Sequence, residues 1–461
     1  MSPRRIAPRS PSTATVLASL PRLSWLSTLT GSPCPSESAG SSLAIMPDIS
    51  STIDADEIVD IFVGVHLRSF LPVARRPPAR PGRWSRALPF PALFLPPSFT
   101  TARVAFPCAR TEENPMRELL FAGTAVTRPG AVGALYRHAP GGDWEVVTDL
   151  PAENGVQAIT PHPLRDNVVY AATRKGVYRS TDAGTSWHRL EVTEEQVQFW
   201  SIVVSPHDPD VLFAGTAPVG FHRSDDGGET WKKCGATHPE RYEISFGGSR
   251  VMRIAFHPTD PAILYAASEI NGFFVSEDGG ESWRPEIEGL SKLAALPALK
   301  NTELTDDDTE GMFDGHSVCT TPAEPDAVFY ICRLGIFKTT DRGKSFQDLE
   351  VGKQAPFNYT RDCRVVAGNP RSLFACFSIS SRSDAGALFR SPDLGVTWHR
   401  AGPPENAKST VMGFGTHVSD PGGLVAVTRH GQVFSTVDGA ETWTELQLPA
   451  DAGDAFCGAI L

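Results

Sequence analysis

Residues 222–231 read His-Arg-Ser-Asp-Asp-Gly-Gly-Glu-Thr-Trp, and five other segments repeat the pattern Ser/Thr-x-Asp-x-Gly-x-Ser/Thr-Trp. Phe346 replaces the Trp in the fourth copy, and Ala440 stands at the Gly position of the sixth. Six near-copies in one chain predict a repeat protein. The repeated positions are Ser180, Asp182, Gly184 and Trp187; Ser224, Asp226, Gly228 and Trp231; Ser276, Asp278, Gly280 and Trp283; Thr339, Asp341, Gly343 and Phe346; Ser391, Asp393, Gly395 and Trp398; and Thr436, Asp438 and Trp443.

The residue types in this motif are those of a tight turn. The Ser/Thr hydroxyl and the Asp carboxylate can bond the N–H groups of their own turn. The Gly adopts a conformation that a β-carbon disfavours. The Trp begins the next strand and offers a large ring to bury against a neighbouring unit. The motif therefore predicts a structural role rather than a catalytic one.

Two short β-rich segments precede each box, as in 201–216 and 253–268. With the strands on either side of the box they make four strands per unit, and such units repeated radially form a propeller. A seventh, degenerate copy at 136–144 lacks the Asp. Seven units over residues 116–461 take about 50 residues each, near the usual length of a four-stranded blade. The sequence thus predicts an all-β, seven-bladed β-propeller.

The repeat resembles the Asp-box (BNR) repeat of sialidase-like β-propellers, within the WD40/YVTN/BNR-like superfamily. Families that share it include sialidases, xyloglucan-cleaving hydrolases, sortilin-type receptors and photosystem II assembly factors. In these families the box lies on the turn between the two outer strands of a blade, away from the ligand-binding face. The resemblance implies the same placement here.

The two ends of the repeat region predict how the ring closes. Residues 118–124 match the second strand of the other units, so the first unit lacks its first strand. Residues 454–461, after the last box, have the character of a first strand. We expect this C-terminal segment to complete the first blade and close the propeller. The same inference makes Met116 the natural start of the fold.

Residues 1–115 are rich in Pro, Arg and Ser and show no apolar period, so they do not predict a folded domain. Three interpretations remain: a disordered tail, an organellar transit peptide, or a mis-annotated extension. The true start codon is then Met1, Met46 or Met116. The chain is predicted to be cytoplasmic, or organellar if the segment is a genuine transit peptide. No apolar stretch is long enough to predict a membrane span.

Charge and cysteine content exclude two classes of protein. The chain has 42 Lys and Arg against 53 Asp and Glu, a net charge of −11, which argues against a nucleic-acid binder. Eight cysteines in 461 residues are too few for a disulfide scaffold. Several lie in apolar strands and are predicted to be core residues in a reducing compartment. A buried pair in adjacent blades is possible, but the sequence does not assign it.

Loops that enter the first strand of each blade converge near the central channel, and here they are polar. Arginines aimed into such a funnel would suit an anionic ligand. The alternative is that a propeller channel is water-filled and polar in any case. The predicted ligand-binding residues are Trp200, Arg250, Arg253, His316, Arg361, Arg364 and His417.

The sialidase resemblance implies an arginine triad, a Tyr nucleophile with a Glu partner, and an Asp acid. Tyr359, Glu243 and Asp362 are the candidate catalytic residues, with Tyr242 and Glu153 as alternatives. Two departures weigh against this activity. Sialidases with this repeat have six blades, and their signature before the first box is only echoed here. A xyloglucanase needs two facing propellers, and this chain has one.

One insert contains acidic residues spaced like the start of a calcium loop, Asp306, Asp308, Glu310 and Asp314. Its twelfth position is Ser317 instead of Glu, so a solvated acidic loop is the preferred interpretation. No metal site or cofactor is predicted otherwise. His316 and His417 have no ligand spacing that indicates a metal.

These observations favour a non-catalytic binding or assembly propeller. Its channel-mouth face is predicted to bind a protein partner or an anionic small molecule or glycan, and the chain is predicted to be monomeric. The alternative is a glycoside hydrolase of the exo-sialidase type, or a lyase, acting on an anionic glycan. Function here rests on fold-level analogy, which does not name the ligand.

Overall fold

The structure is a computed structural model that describes residues 118–151, 155–192, 197–236, 243–244, 247–300, 311–403 and 407–461. Of residues 243–244 and 247–248 it describes the backbone only. The predictions for the N-terminal extension, residues 1–115, lie outside these ranges. None of the helices within them is long and apolar enough to cross a membrane.

Seven antiparallel sheets of four strands form the seven blades, as the repeat predicted. The first three blades in chain order contain β1 Leu120–Ala125, β2 Leu135–His138 and β3 Trp144–Val146; β4 Val156–Pro161, β5 Val169–Thr173, β6 Gly176–Ser180 and β7 His188–Leu190; and β8 Gln198–Val204, β9 Leu212–Ala217, β10 Gly220–Ser224 and β11 Lys232–Lys233. The segment before the fourth blade contains β12 Gly235–Ala236, β13 Glu243–Ile244 and β14 Gly247–Gly248.

The remaining blades contain β15 Arg250–Phe256, β16 Leu264–Glu269, β17 Gly272–Ser276 and β18 Ser282–Pro285; β19 Gly315–Thr320, β20 Val328–Cys332, β21 Gly335–Thr339 and β22 Gln347–Asp348; β23 Tyr359–Val366, β24 Asn369–Ser378, β25 Gly386–Ser391 and β26 His399–Gly402; and β27 Val411–Thr416, β28 Leu424–Thr428, β29 Gln432–Thr436 and β30 Thr444–Gln447. The last strand is β31 Asp454–Ile460. Strand β12 adds to blade 4 parallel to β18, and β13 pairs with β14 in a separate hairpin. Within the described ranges the helices are α1 Glu288–Ala294 and two 3₁₀ turns, Pro297–Leu299 and Val351–Lys353.

Strand β31 completes blade 1, which confirms the predicted closure. It pairs antiparallel with β1 in the sheet order β3-β2-β1-β31. The first strand of each blade is innermost and contacts the first strand of the next blade around the whole ring. The core lies between blades, in seven apolar clusters, one for each pair of neighbours.

Each Asp box is a turn between the third and fourth strands, as expected. In the first complete box, the Ser180 hydroxyl accepts a hydrogen bond from the Gly184 N–H at 2.8 Å. The Asp182 carboxylate accepts from the backbone N–H and the hydroxyl of Ser186 at 2.9 and 2.6 Å. Burial would raise the pKa of Asp182, but the bonds from Ser186 and Ser180 lower it to about 2. The box therefore satisfies most of its turn internally, while the Trp187 N–H donates to Asp149, in the segment after β3, at 2.8 Å.

The box glycine also sets the spacing between blades. Gly184 has φ +78°, and a β-carbon there would lie 2.4 Å from the Phe121 ring of the preceding blade. The same close approach recurs at Gly280, where a β-carbon would lie 2.3 Å from Phe213. Both positions require glycine twice over, for the backbone conformation and for the space.

Every first strand carries one extra residue near its start, where its register with the second strand shifts. A bulge of this kind re-aims a side chain and bends the strand. Because the seven bulges are equivalent, they form a ring around the start of the channel. The residues of this bulge ring are Gln157, Trp200, Met252, His316, Arg361, Met412 and Phe456.

Candidate functional site

The starts of the first strands and the ends of the second strands lie at the same edge of each blade, because the two strands are antiparallel. We call this edge, around the ring, the channel mouth. The Asp boxes lie at the opposite edge, since they follow the third strands. Of the side chains that the sequence singled out in blades 3 to 6, the channel mouth contains Trp200, Arg250, His316, Tyr359 and Arg361.

Two of the predicted arginines converge on one carboxylate. Arg250, at the start of β15, donates to Glu269 Oε2 at 2.8 Å, and Arg361 of β23 approaches Glu269 Oε1 at 3.5 Å. Glu269 ends β16 and is buried. The Arg250 guanidinium also lies over the Trp200 ring, 4.3 Å from its centroid. These contacts join blades 3, 4 and 6 across the mouth.

A second carboxylate, Asp314, lies beside them. It contacts His316 Nε2 at 3.2 Å and the Arg333 guanidinium at 2.9 Å. Burial alone would raise the pKa of Asp314, but His316 and Arg333 hold it well below its usual value. The other ring nitrogen of His316 contacts the Thr360 carbonyl at 2.6 Å. Asp314 is therefore ionised, and its carboxylate is held by His316 and Arg333.

Tyr359, the candidate nucleophile, begins β23 and is buried. Its hydroxyl accepts from Arg361 at 3.4 Å, and its ring packs 5.3 Å from that of His316. Burial raises the pKa of Tyr359 despite the neighbouring Arg361. The phenol is thus held protonated at neutral pH, which is unfavourable for a nucleophile.

Asp362, the candidate acid, lies deeper in the channel in a separate network. Its carboxylate contacts Arg253 of blade 4 at 3.2 Å, Arg364 at 3.0 Å and the Ser317 hydroxyl at 2.8 Å. Burial would raise the pKa of Asp362, but Arg253 and Arg364 lower it. An ionised carboxylate has no proton to donate, so the geometry does not suit a general acid. Arg364 consequently does not join Arg250 and Arg361 at Glu269.

Some polar atoms at the mouth have no hydrogen-bond partner within the described ranges. They are Nε of half-buried Arg174, Nε1 of buried Trp200, and both amide atoms of buried Gln157. Burial and the nearby charge of Arg250 lower the pKa of Arg174. Buried polar groups are nearly always paired, so these atoms are satisfied by a ligand, by water or by residues outside the described ranges.

His417 is not at the mouth. It follows the last residue of β27, at the edge that carries the Asp boxes. Its Nδ1 accepts from the N–H groups of Ser419 and Asp420, at 3.2 and 2.9 Å. His257 makes the same turn in blade 4. The structure therefore places His417 in a turn between the first and second strands, because the sequence pattern did not distinguish the two ends of a first strand.

Several candidates cannot be placed. The side chain of Glu243 and residues Glu153 and Tyr242 lie outside the described part of the chain, as do Asp306, Asp308 and Glu310 of the acidic insert. The preferred acidic-loop interpretation and the calcium alternative therefore both stay predictions. Asp314, the last residue of the set, contacts Arg333. Glu269, Asp314 and His316 have ligand atoms within 4.8 Å of one another. Arg250, Arg333 and Arg361 already neutralise these carboxylates, which disfavours a divalent cation.

Sequence reasoning missed Arg174, Glu269 and Arg333, which directly follow or end second strands. A signal existed. Arg174 stands in Thr-Arg-Lys-Gly, Arg333 in Cys-Arg-Leu-Gly and Arg429 in Thr-Arg-His-Gly. Aligning the units on the second strand and the following Gly would have brought these arginines to one position at the mouth.

Comparison with known proteins agrees with the fold. The family model described as "Sortilin, neurotensin receptor 3" matches residues 175–306. The chain is an Asp-box β-propeller. It is 23% identical to a xyloglucanase from Hypocrea jecorina over 349 residues, 68% of this chain and 36% of that protein. It is 23% identical to vacuolar protein sorting/targeting protein 10 from Chaetomium globosum over 269 residues, 55% of this chain and 17% of that protein.

The propeller thus matches only part of each of these longer relatives, and of a xyloglucanase from Acetivibrio thermocellus it spans 20%. Among solved structures, YCF48 bound to D1 peptide has a TM-score of 0.48 at 15% identity, over 70% of this chain and 90% of that one. An ancestral GH74 enzyme has a TM-score of 0.44 at 16% identity, over 71% of this chain and 40% of that one.

Proposed function

We propose that this propeller is a non-catalytic binding protein whose channel mouth holds an anionic group of a protein partner or small molecule. The observation that carries the proposal is Arg174. Its guanidinium is half-buried beside Arg250, and no carboxylate contacts it within the described ranges. Two arginines forced together at partial burial repel each other, and an anion between them relieves that repulsion.

The charges of the mouth support this proposal. Five arginines, Arg174, Arg250, Arg333, Arg361 and Arg429, lie there with three carboxylates, Glu269, Asp314 and Asp454, among the residues described. The mouth is therefore locally cationic in a chain of net charge −11. Guanidinium groups in partly buried sites form bidentate, charge-assisted hydrogen bonds with carboxylates and phosphates. A rigid cationic funnel of this kind binds anions without needing to rearrange.

Gln157 and Trp200 of the bulge ring add specificity. The Trp200 indole offers a donor, and the Gln157 amide offers both a donor and an acceptor, all unpaired within the described ranges. Leaving such buried groups unsatisfied costs about 1–3 kcal/mol each, which a ligand with matching polar atoms recovers. The ligand is therefore expected to carry hydrogen-bonding groups beside its negative charge.

Calorimetric titration of the full chain with a defined anion panel tests the proposal. The panel is inorganic phosphate, glucuronate, N-acetylneuraminate, and one peptide made with a free and with an amidated C-terminus. At least one member is expected to bind, and Arg174→Gln should weaken that binding about tenfold or more. Arg165→Gln is the matched control, since Arg165 is exposed on the opposite edge of the same blade.

Two results would overturn the proposal. One is the absence of binding across the whole panel at low salt, where charge attraction is strongest. The other is binding that Arg174→Gln leaves unchanged, which would place the anion elsewhere.

One observation favours the hydrolase alternative, since Tyr359 and Glu269 both contact Arg361. A Tyr, a Glu and two arginines therefore do meet, which is part of the set that a sialidase-like site requires. The raised pKa of Tyr359 and the position of Arg364 at Asp362 weigh against it. A screen of fluorogenic glycosides, sialosides included, decides between the two. Turnover that Tyr359→Phe abolishes would establish the enzyme and displace the binding proposal.

A further inference from the structure

Two cysteine sulfurs are in contact inside the propeller wall. Cys319 of β19 and Cys363 of β23 lie with their Sγ atoms 3.7 Å apart. The first is in blade 5 and the second in blade 6, so the contact crosses a seam between blades. The described residues contain six cysteines, all present as thiols, and this is the one sulfur–sulfur contact found among them.

The seam around this pair is closely held. His316 contacts the Thr360 carbonyl at 2.6 Å, and the Ser317 hydroxyl donates to Asp362 at 2.8 Å. The cysteines make the third contact between the same two strands. A disulfide needs an S–S distance of about 2.05 Å, so the sulfurs must move less than about 2 Å closer. We expect rotation of the two cysteine side chains to supply a movement of that size.

We propose that Cys319 and Cys363 form a reversible disulfide that links blades 5 and 6 under oxidising conditions. With hydrogen peroxide as oxidant, the Cys319 sulfur takes one oxygen to give a sulfenic acid, and one water leaves. The Cys363 sulfur then attacks the Cys319 sulfur, the S–S bond forms, and a second water leaves. Two thiols are oxidised and one peroxide is reduced to two waters. A dithiol reductant reverses the change.

The order of the two steps follows from exposure. Cys319 is 9% exposed and Cys363 is fully buried, so the oxidant reaches Cys319 first. Burial also raises the pKa of the Cys363 thiol well above its usual value. Its thiolate is therefore scarce at neutral pH, and the resolving step is expected to be slow. The pair should respond to sustained oxidation rather than to brief exposure.

The link would have two consequences. It closes a loop of 44 residues, which restricts the unfolded chain and stabilises the fold. It also holds strands β19 and β23 together just below the channel mouth. His316 and Arg361 lie at the mouth on these same strands, a few residues before the cysteines. The proposal does not depend on the function of the mouth, since the thiols are below it.

Peptide mapping of the oxidised native chain tests the link directly. The full chain is treated with hydrogen peroxide without denaturant, remaining thiols are blocked, and a non-reducing tryptic digest is analysed by mass spectrometry. We expect a cross-linked peptide lighter than its two parts by two hydrogen atoms. Trypsin leaves Cys319 and Cys332 on one peptide, so Cys332→Ala is the control that assigns the link. The cross-link should persist in Cys332→Ala and disappear in Cys319→Ala.

Thermal unfolding provides the second readout. Oxidation should raise Tm by roughly 3–6 °C, and dithiothreitol should return it to the starting value. Cys332→Ala should show the same rise, whereas Cys319→Ala and Cys363→Ala should show none. Because either Ala variant alone could disturb packing, each is compared with itself before and after oxidation. A cross-link that forms only in denaturant, or a link of Cys363 to Cys376 instead, would overturn the proposal.

Discussion

At the scale of single residues, the channel mouth depends most on Glu269. Its two carboxylate oxygens contact different arginines, Oε2 with Arg250 and Oε1 with Arg361. Those arginines come from blades 4 and 6, so one buried carboxylate holds two blades in place at the mouth. The same carboxylate also competes with any anionic ligand for these guanidinium groups. Glu269 should therefore stabilise the fold and, at the same time, weaken the binding of an anion.

Replacing Glu269 by Gln should lower stability and strengthen anion binding together. The substitution preserves shape but removes the charge that pairs Arg250 and Arg361. Breaking a buried ion pair on one side costs about 3 kcal/mol, measured as a loss in the free energy of unfolding by urea. The freed arginines should bind the anion identified with the Arg174 variant more tightly in the same titration.

Glu441→Gln, on an exposed box turn, is the control and should change neither quantity. Weaker anion binding by Glu269→Gln would show that Glu269 itself contacts the ligand. Unchanged stability would show that the two arginines need no partner.

At the scale of elements, the Asp box works as a turn and as a spacer. Its hydroxyl and carboxylate satisfy the turn internally, as Ser180 and Asp182 do. Its glycine lets the turn approach the blade before it, since Gly184 lies against the Phe121 ring. The two functions can be separated with Gly439 of the sixth box, which stands one residue before the Gly position and takes part in the turn without approaching another blade. Gly439 has φ +75°, and a β-carbon added there would meet no other described atom within 4 Å.

Gly184→Ala should destabilise the chain clearly more than Gly439→Ala. Both substitutions place a β-carbon on a left-handed backbone, which costs about 1–2 kcal/mol. Only the first also drives a methyl group into a neighbouring ring, which adds about 1–3 kcal/mol of overpacking. Chemical denaturation of both variants measures the difference. Equal losses would mean that blade spacing relaxes freely and that the box is a turn alone.

The sequence predicted the boxes and the strands because each carries its own local signal. The turn residues bond within a few positions, and the apolar runs are short and bounded by Gly, Pro and Asp. The bulge ring has no such signal, since a bulge is defined by register with another strand. Trp200, His316 and Arg361 were selected for their chemistry, whereas Gln157, at the equivalent position, was overlooked.

The candidate site was predicted less well than the fold. Of the predicted arginines, Arg250 and Arg361 lie at the mouth, whereas Arg253 and Arg364 lie deeper and pair with Asp362 of β23. The carboxylates at the mouth come from the end of a second strand, Glu269, and from the loop before β19, Asp314. Glu269 pairs with Arg250 and Arg361, whereas Asp314 pairs with Arg333. The spacing of these residues along the chain does not reveal which pairs form. Pairing between blades 4 and 6, as in Arg253 with Asp362, is set by the curvature of the ring and not by local sequence.

At the scale of the whole molecule, closure of the ring is what makes seven similar blades one structure. Strand β31 lies between β1 of its own blade and β27 of the last blade. Its residue Ala455, with Ile460 and the following Leu461, is buried there, and the Asp454 carboxylate accepts from Arg429 at 2.7 Å. This closure was predictable because residues 118–124 match second strands, which left blade 1 without an inner strand.

Removing residues 454–461 should lower Tm sharply, by roughly 10 °C or more, because the loss opens the ring and exposes the edge of β1. Adding a peptide of that sequence in trans should restore most of the loss. The same peptide with Gly458→Val should fail, since a β-carbon at Gly458 would lie 2.9 Å from Val427 of the last blade. Scanning calorimetry of the truncated chain with each peptide distinguishes the outcomes.

An unchanged Tm after truncation would mean that the neighbouring blades hold the ring without this strand. Rescue by both peptides would mean that strand pairing with β1 suffices and that packing against β28 contributes little.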